Sequence, residues 1–486
     1  MSPLEKPINL LSRFIHSGTI LTVGSIVDSL IRFIRNIILT RILAPEAFGY
    51  FATVIAVVAA LEAFAEVGLR QSVIQNKNGS DDKFINITWI LSSLRGLLLY
   101  VVAYIITPYI ANFVNRPDSI DYMRVGFFAI LLNGMVSPKI HVLEKEFRFK
   151  NWVLLIQGAG ILSVICTVIL ALILKSTWAL IYGYVMEAFL KTTLSFIFYP
   201  IRPNLKYDPT YLQEIIQYSK RMFGLPISMM LFVQVDVFVI GRLLSMSQLG
   251  IYTMAKNLAE IPSTFISKAV NPIMMSSFSQ QQENKETIRK SFLSITEIIA
   301  TFGIPLIVFL IIYSKIILSI VYGQEYGDAH MPFKILCIYN YILICSSVIM
   351  LIYMSIGRPD IHRNASVTRT AVFLIMIYPV TYYFGLLGAA VTILLSMCIL
   401  LFVQIIYLKK YIGINHKLYF SCWVRGVKLS LIVLLPGTLI MLISENMLIS
   451  IIFGLLTCMI SWLIALTGYE EMREYLKIKG EKWGCL

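Results

Sequence analysis

Long apolar runs separated by short polar connections repeat from one end of the chain to the other. Windows that each reach the roughly 20 residues needed to cross about 30 Å of hydrocarbon fall near 17–39, 46–69, 84–107, 120–141, 152–174, 177–199, 219–243, 248–275, 291–313, 333–356, 364–384, 386–408, 425–443 and 447–467. The pattern predicts an all-α polytopic membrane protein with about 14 transmembrane helices, because only a helix or a closed barrel satisfies its backbone in lipid. The alternating strands of a barrel are absent from the pattern.

One polar connection occurs twice. Arg41-Ile42-Leu43-Ala44-Pro45-Glu46-Ala47-Phe48-Gly49 has a degenerate copy in Arg242-Leu243-Leu244-Ser245-Met246-Ser247-Gln248-Leu249-Gly250, an offset of 201 residues. In each, an Arg closes one apolar run and a Gly sits eight positions on, where the next begins. The offset pairs windows 1 and 2 with windows 7 and 8 in the same orientation, which predicts two parallel-repeated six-helix lobes. They divide as residues 1–205 and 206–410, and 411–486 carries two extra C-terminal helices and a tail.

Composition agrees with a membrane protein: 58% of the 486 residues are hydrophobic and 14% charged, with mean hydropathy +0.77. A soluble domain carries about 25% charged residues. The net charge of +14 would suggest nucleic acid in a soluble protein, but its distribution points elsewhere. With the N-terminus inside, 28 of the 41 Lys and Arg fall in cytoplasmic segments and seven on the opposite side, a bias that puts both termini in the cytoplasm. The first apolar run reads as a retained helix, because it carries charges and lacks a small-residue cleavage site. The seven cysteines show no C-x-x-C or Cys/His spacing, so free thiols are expected and no metal or other cofactor.

The remaining six basic residues lie inside windows: Arg32, Arg35, Arg95, Lys191, Lys256 and Lys268, accompanied by Asp28, Glu62, Glu66, Glu187, Asp236, Glu260 and Glu297. Charges at such depth are costly and face a polar interior. Asp28, Arg32 and Arg35 stand at i, i+4 and i+7, on one helical face. Glu187–Lys191 and Lys256–Glu260 are spaced i, i+4 and read most simply as local ion pairs. Gly224 and Pro226 are candidates for a hinge.

The stretch Arg41 to Tyr50, continued by Ala65-Glu66-Val67-Gly68-Leu69-Arg70-Gln71-Ser72-Val73-Ile74-Gln75, resembles the amino-terminal signature of the polysaccharide transporter family. Leu143-Glu144-Lys145-Glu146-Phe147-Arg148-Phe149-Lys150 is similar to that family's basic loop before span 5, and Gln234 to Arg242 is similar to its span 7. The likeness runs over about residues 10–410. It implies a Wzx-type oligosaccharide flippase of the multidrug/oligosaccharidyl-lipid/polysaccharide exporter superfamily in the bacterial inner membrane. Such a protein moves polyprenyl-diphosphate-linked oligosaccharide by alternating access, for lipopolysaccharide O-antigen, capsule or exopolysaccharide. Membrane lipids, a glycan polymerase and chain-length proteins are the implied partners, and nucleic acid is not.

Such a cargo sets a physical problem, because an anionic diphosphate crosses hydrocarbon only against fixed cations. Arg32, Arg35, Arg95 and Lys256 are the candidates for that cationic cavity, and Asp28, Glu62, Asp236 and Glu260 for a gate or ion coupling. The offset of 201 pairs Arg35 with Asp236, which suggests an ion pair that forms in one state and breaks in the other; the equal alternative is that each charge pairs locally or faces water. Two alternatives remain. A cation-coupled multidrug exporter of the same superfamily would prefer an acidic, aromatic cavity. A polytopic glycan polymerase or glycosyltransferase would carry its catalytic groups in a sizeable external loop, and no Ser/His/Asp, nucleotide-binding or metal constellation marks an enzyme here.

Overall fold

The protein is seen in a computed structural model, which describes residues 7–65, 68–201, 209–222, 225–280, 285–443 and 446–467. The described residues form helices and turns, with no strand among them. In chain order the helices are α1 (Pro7–Ile42), α2 (Pro45–Phe64), α3 (Leu69–Gln75), α4 (Asp82–Phe113), α5 (Ile120–Gly134), α6 (Lys139–Lys145), α7 (Phe149–Leu174), α8 (Trp178–Phe198) and α9 (Pro209–Met222). There follow α10 (Leu225–Leu243), α11 (Met246–Gln280), α12 (Lys285–Ile312), α13 (Ser314–Val321), α14 (His330–Ser355), α15 (Pro359–Ile412), α16 (His416–Ile443) and α17 (Met447–Thr467).

Among the described residues, eight helical segments are long and apolar enough to cross a membrane, or nine when α5 and α6 count as one bent span. The remaining expected windows lie on α1, α8, α10 and α11, the helices that hold most of the intramembrane charge. Two windows, 364–384 and 386–408, share the 54-residue α15, which is interrupted at Gly385 with φ 58° and ψ −141°. Only glycine adopts that conformation cheaply, so a single residue divides one long helix into two arms. Pro305 and Pro436 sit inside α12 and α16. The hinge candidate Gly224 and the side chain of Pro226 lie outside the described residues, as does Glu66.

Local chemistry sets several ends. Pro45 opens α2 with Glu46 in its first turn, where a missing N–H costs nothing and a carboxylate suits the helix dipole. Asp81 caps α4 by accepting from the Lys83 N–H at 2.9 Å, and Gly413 in the left-handed region closes α15.

The helices form two compact units. The first comprises Met1–Met254 with Phe373–Ala389, and the second Ala255–Val372 with Ala390–Leu486. Within the first, Val54, Val57 and Val58 of α2 pack with Met123, Phe127 and Ile130 of α5 and Ile181 of α8. Within the second, Phe292 and Ile299 of α12, Ile344, Ile349 and Ile352 of α14, Leu401 and Leu408 of α15 and Tyr419 of α16 form the core. Large apolar side chains stand fully outward on α7, α15 and α16, among them Ile173, Ile375, Tyr383 and Leu442. Faces of that kind suit lipid and not water.

Helices α16 and α17 are firmly packed. A Cβ at Gly426 of α16 would overlap the Ala300 carbonyl of α12, and one at Gly454 of α17 would overlap the Tyr313 ring. Small residues permit this approach where no hydrophobic effect drives helices together. Gly426→Leu is therefore expected to destabilise the second unit by about 1–3 kcal/mol through overpacking. Thermal unfolding in detergent checks this against Gly158→Leu, where an added Cβ meets nothing within 4 Å; equal melting of the two variants would refute it.

Candidate functional site

The first unit gathers the charges of α1 and α8 around Arg32. On α1, its Nε donates to both oxygens of Asp28 at 3.2 and 3.1 Å, one turn away as the spacing predicts. Its two Nη groups donate across to α8, to Glu187 Oε2 at 3.3 Å and Oε1 at 2.8 Å. A planar guanidinium can span two carboxylates in this way, whereas an ammonium cannot. Gly160 of α7 lies where a Cβ would come within 3.7 Å of both Arg32 and Asp28, so α7 supports the pair from behind. All three side chains are half-buried.

This arrangement alters two local expectations. Glu187 and Lys191, spaced as a helical pair, are not joined to each other: both Glu187 oxygens are engaged by Arg32. Tyr184, Glu187 and Lys191 stand at i, i+3 and i+7 on one face of α8, and Glu62 of α2 faces the same cluster, attracting Lys191 and lying close to Tyr184. Arg35 directs its guanidinium to the side-chain oxygen of Asn36, from Nε at 3.3 Å and Nη2 at 3.2 Å. Asp28, Arg32, Arg35 and Glu62 thus come together with Glu187 and Lys191, which spacing alone had assigned to a separate pair.

The other candidates stand elsewhere. Arg95 of α4 donates to the Ala65 carbonyl at 3.3 Å, the cap residue of α2. A cation there suits the negative end of the helix dipole. Asp236 of α10 is fully buried and accepts from the Val237 N–H at 2.9 Å and the Tyr252 hydroxyl at 3.3 Å. No bond joins Asp236 to Arg35 in this structure: the first accepts from groups of α10 and α11, and the second donates to Asn36 of its own helix. Lys256 and Glu260 lie half-buried on α11 in the second unit. Helix α11 continues through Pro262, and Ser263 bonds to the Glu260 carbonyl and to Asn340 of α14.

The repeated turn proves to be a structural element. Pro45 opens α2 and Met246 opens α11, positions 201 apart, and the two helices meet reciprocally. A Cβ at Gly49 would overlap the Met246 carbonyl, and a Cβ at Gly250 would overlap the Pro45 carbonyl. The seam is reinforced by the α4–α5 connection, where Arg242 donates to the Phe113 carbonyl and stacks 4.8 Å over its ring. Arg116 donates to the Leu244 carbonyl at 3.3 Å, and the Tyr50 hydroxyl donates to Asp118.

At the opposite ends of these helices a second polar network ties short elements together. Arg70 pairs with Glu144 at 2.6 Å, Lys139 with Asp82 at 3.0 Å, and Lys145 donates to the Asn76 carbonyl at 2.6 Å. The basic loop around 139–151 therefore spends part of its charge internally. Helix α9 was not anticipated, although Tyr211, Leu212 and Ile215 carry the spacing of a helical face; they pack on Leu69, Val73 and Phe84. Asn76 of the α3 end donates to Glu214 at 2.7 Å.

Known proteins resemble this chain over most of its length. A membrane protein of Klebsiella pneumoniae, described as uncharacterized and in the cps region, is 24% identical over 378 residues, 76% of each chain. The lipopolysaccharide biosynthesis protein WzxC of Escherichia coli (strain K12) is 20% identical over 394 residues, 80% of each. Among solved structures, the lipid II flippase MurJ in its inward closed conformation matches with a TM-score of 0.74 over 92% of this chain and 98% of that one. At 15% identity the likeness is one of fold, a multi-pass membrane fold. The sequence profile described as "Polysaccharide biosynthesis protein" matches residues 38–331, more than half of the chain. On that match, the chain belongs to the polysaccharide biosynthesis protein family.

Proposed function

We propose that the protein is a flippase that carries polyprenyl-diphosphate-linked oligosaccharide across the bacterial inner membrane for cell-surface polysaccharide. The observation that carries this reading is the half-buried charge cluster of α1 and α8 in a chain of this family. Fixed cations there lower the cost of bringing a diphosphate out of water, while the polyprenyl tail stays in lipid. Arg35, Arg95 and Lys256 are assigned to the cargo, Arg32 to the clamp that holds α1 against α8, and Asp28, Glu62, Asp236 and Glu260 to gating or ion coupling. Residues 1–205 and 206–410 act as two lobes in alternating access, 411–486 as an accessory pair of spans, and both termini face the cytoplasm. No catalytic step is assigned, and partners from the same glycan pathway would supply and consume the cargo.

Reconstituted vesicles holding a fluorescent polyprenyl diphosphate oligosaccharide in one leaflet test the reading. Protein-dependent loss of that asymmetry is the expected result. Unchanged asymmetry together with efflux of cationic drugs would replace the flippase by a multidrug exporter.

A further inference from the structure

Glu187 and Lys191 differ in how far they are compensated. Both oxygens of Glu187 are held by the Arg32 guanidinium, and Arg32 also engages Asp28. Arg32 is thus flanked by two carboxylates and has little charge to offer an anion. Lys191 makes neither hydrogen bond nor ion pair among the described residues. Glu187 and Glu62 lie near enough to attract it, and Arg70 and Arg32 near enough to repel it, but none of them is bonded to it. A bare ammonium is expensive at membrane depth, and its compact charge on a flexible stem binds phosphate as a point donor.

The heights of these groups follow from helix direction. Gly24 of α1 lies beside Val153 and Gln157 of α7, and Asp28 and Arg32 lie beside Gly160, so the two helices run parallel. Helices α7 and α8 form a hairpin closed at 175–177, with Gly183 against Thr167, so α8 runs antiparallel to α1. The Arg32–Glu187 contact marks one level. At 1.5 Å per residue, Lys191 lies about 6 Å from it toward the α8 C-terminus, and Arg35 lies about 4.5 Å from it toward the α1 C-terminus. The two cations therefore flank the neutralised Arg32 along the helix axes, about 10 Å apart by the same rise. Lys191 is on the side of Arg70 and His141, near the polar network that joins α3 and α6.

We propose that Lys191 is a diphosphate-binding residue, the first cation met by cargo arriving from the α3–α6 side, with Arg35 the next beyond the clamped Arg32. The assignment rests on the flippase reading and adds a binding residue to it. The anion is passed from the Lys191 ammonium to the Arg35 guanidinium, and Arg32 keeps the two helices in register without trapping the cargo.

Full-length protein in phosphatidylcholine nanodiscs, titrated with fluorescent undecaprenyl diphosphate and, in parallel, undecaprenol, tests this. Lys191→Gln is expected to weaken diphosphate binding about tenfold and leave the response to undecaprenol unchanged, while Lys191→Arg stays within about threefold of the unsubstituted protein. In a flipping assay, Lys191→Gln should raise KM with kcat retained, and Arg35→Gln should lower kcat. Unaltered diphosphate binding in Lys191→Gln would overturn the assignment while leaving the flippase reading intact. So would a Lys191→Arg protein that loses binding and thermal stability as fully as Lys191→Gln, since that marks a structural role. Failure of the unsubstituted protein to distinguish the diphosphate from undecaprenol would remove the flippase reading and this assignment together.

Discussion

Replacing Gly250 with leucine is expected to abolish the packed form of the protein seen here and to cut transport at least tenfold. The neighbour of the missing Cβ is the Pro45 carbonyl, with the Gly49 nitrogen next to it. Backbone at the start of a helix cannot swing aside as a side-chain tip can, so even alanine forces α2 and α11 apart. Overpacking in a core costs about 1–3 kcal/mol, and a backbone neighbour puts this site at or above the upper end. The repeat supplies a second, independent form of the same test, because Gly49 stands against the Met246 carbonyl in the equivalent place. Gly49→Leu should therefore match Gly250→Leu in melting temperature and in transport. Combining Gly49→Ala with Gly250→Ala should cost less than the sum of the single changes, since once the helices have separated the second methyl group meets open space. Wild-type melting and wild-type flipping in Gly250→Leu would show that the seam has no part in stability or in the transport cycle.

Breaking the Arg32 clamp has the next largest expected effect. Arg32→Gln leaves Asp28 and Glu187 facing one another at membrane depth without their shared cation. Removing one member of a fully buried ion pair costs about 3–5 kcal/mol. The half-exposed groups here place the loss lower, at about 1–3 kcal/mol after screening by solvent. Arg32→Lys should not restore stability, because one nitrogen cannot reproduce the contacts that three guanidinium nitrogens make to Asp28 and Glu187. Glu187→Gln should be milder, since Arg32 keeps Asp28. Adding Glu187→Gln to Arg32→Gln should recover part of the loss by removing the stranded carboxylate. Thermal unfolding and vesicle transport of the four variants check this, and a fully stable, fully active Arg32→Lys protein would exclude the clamp.

The helical membrane fold was legible because it rests on one-dimensional quantities. A run of about 20 apolar residues can only satisfy its backbone in lipid as a helix, and among the described residues each window falls on helix, two of them on the single α15. The register between the two halves was legible for a related reason: Arg41 with Gly49 and Arg242 with Gly250 keep one spacing at one offset, and a repeated unit repeats its turns. The physical cause of the two glycines was not legible. Each is required by a carbonyl two hundred residues away in the chain, and no local pattern reports a distant backbone.

The candidate site divides in the same way. Asp28, Arg32 and Arg35 announced themselves as charges on one face of an apolar helix, and the Asp28–Arg32 bond follows from i, i+4 spacing. Which carboxylate the rest of Arg32 takes depends on the packing of α1 against α7 and of α7 against α8. That packing carried Glu187 to Arg32 and left Lys191 without it. Arg95 was likewise a lone charge by sequence and a helix-cap ligand in the fold. By itself the sequence determined the helical membrane fold and the spacing of the charges along each helix, all functions of order along a single chain. Only the tertiary structure decided which charges neutralise one another and which glycines are indispensable, because those depend on contacts between helices that the chain places far apart.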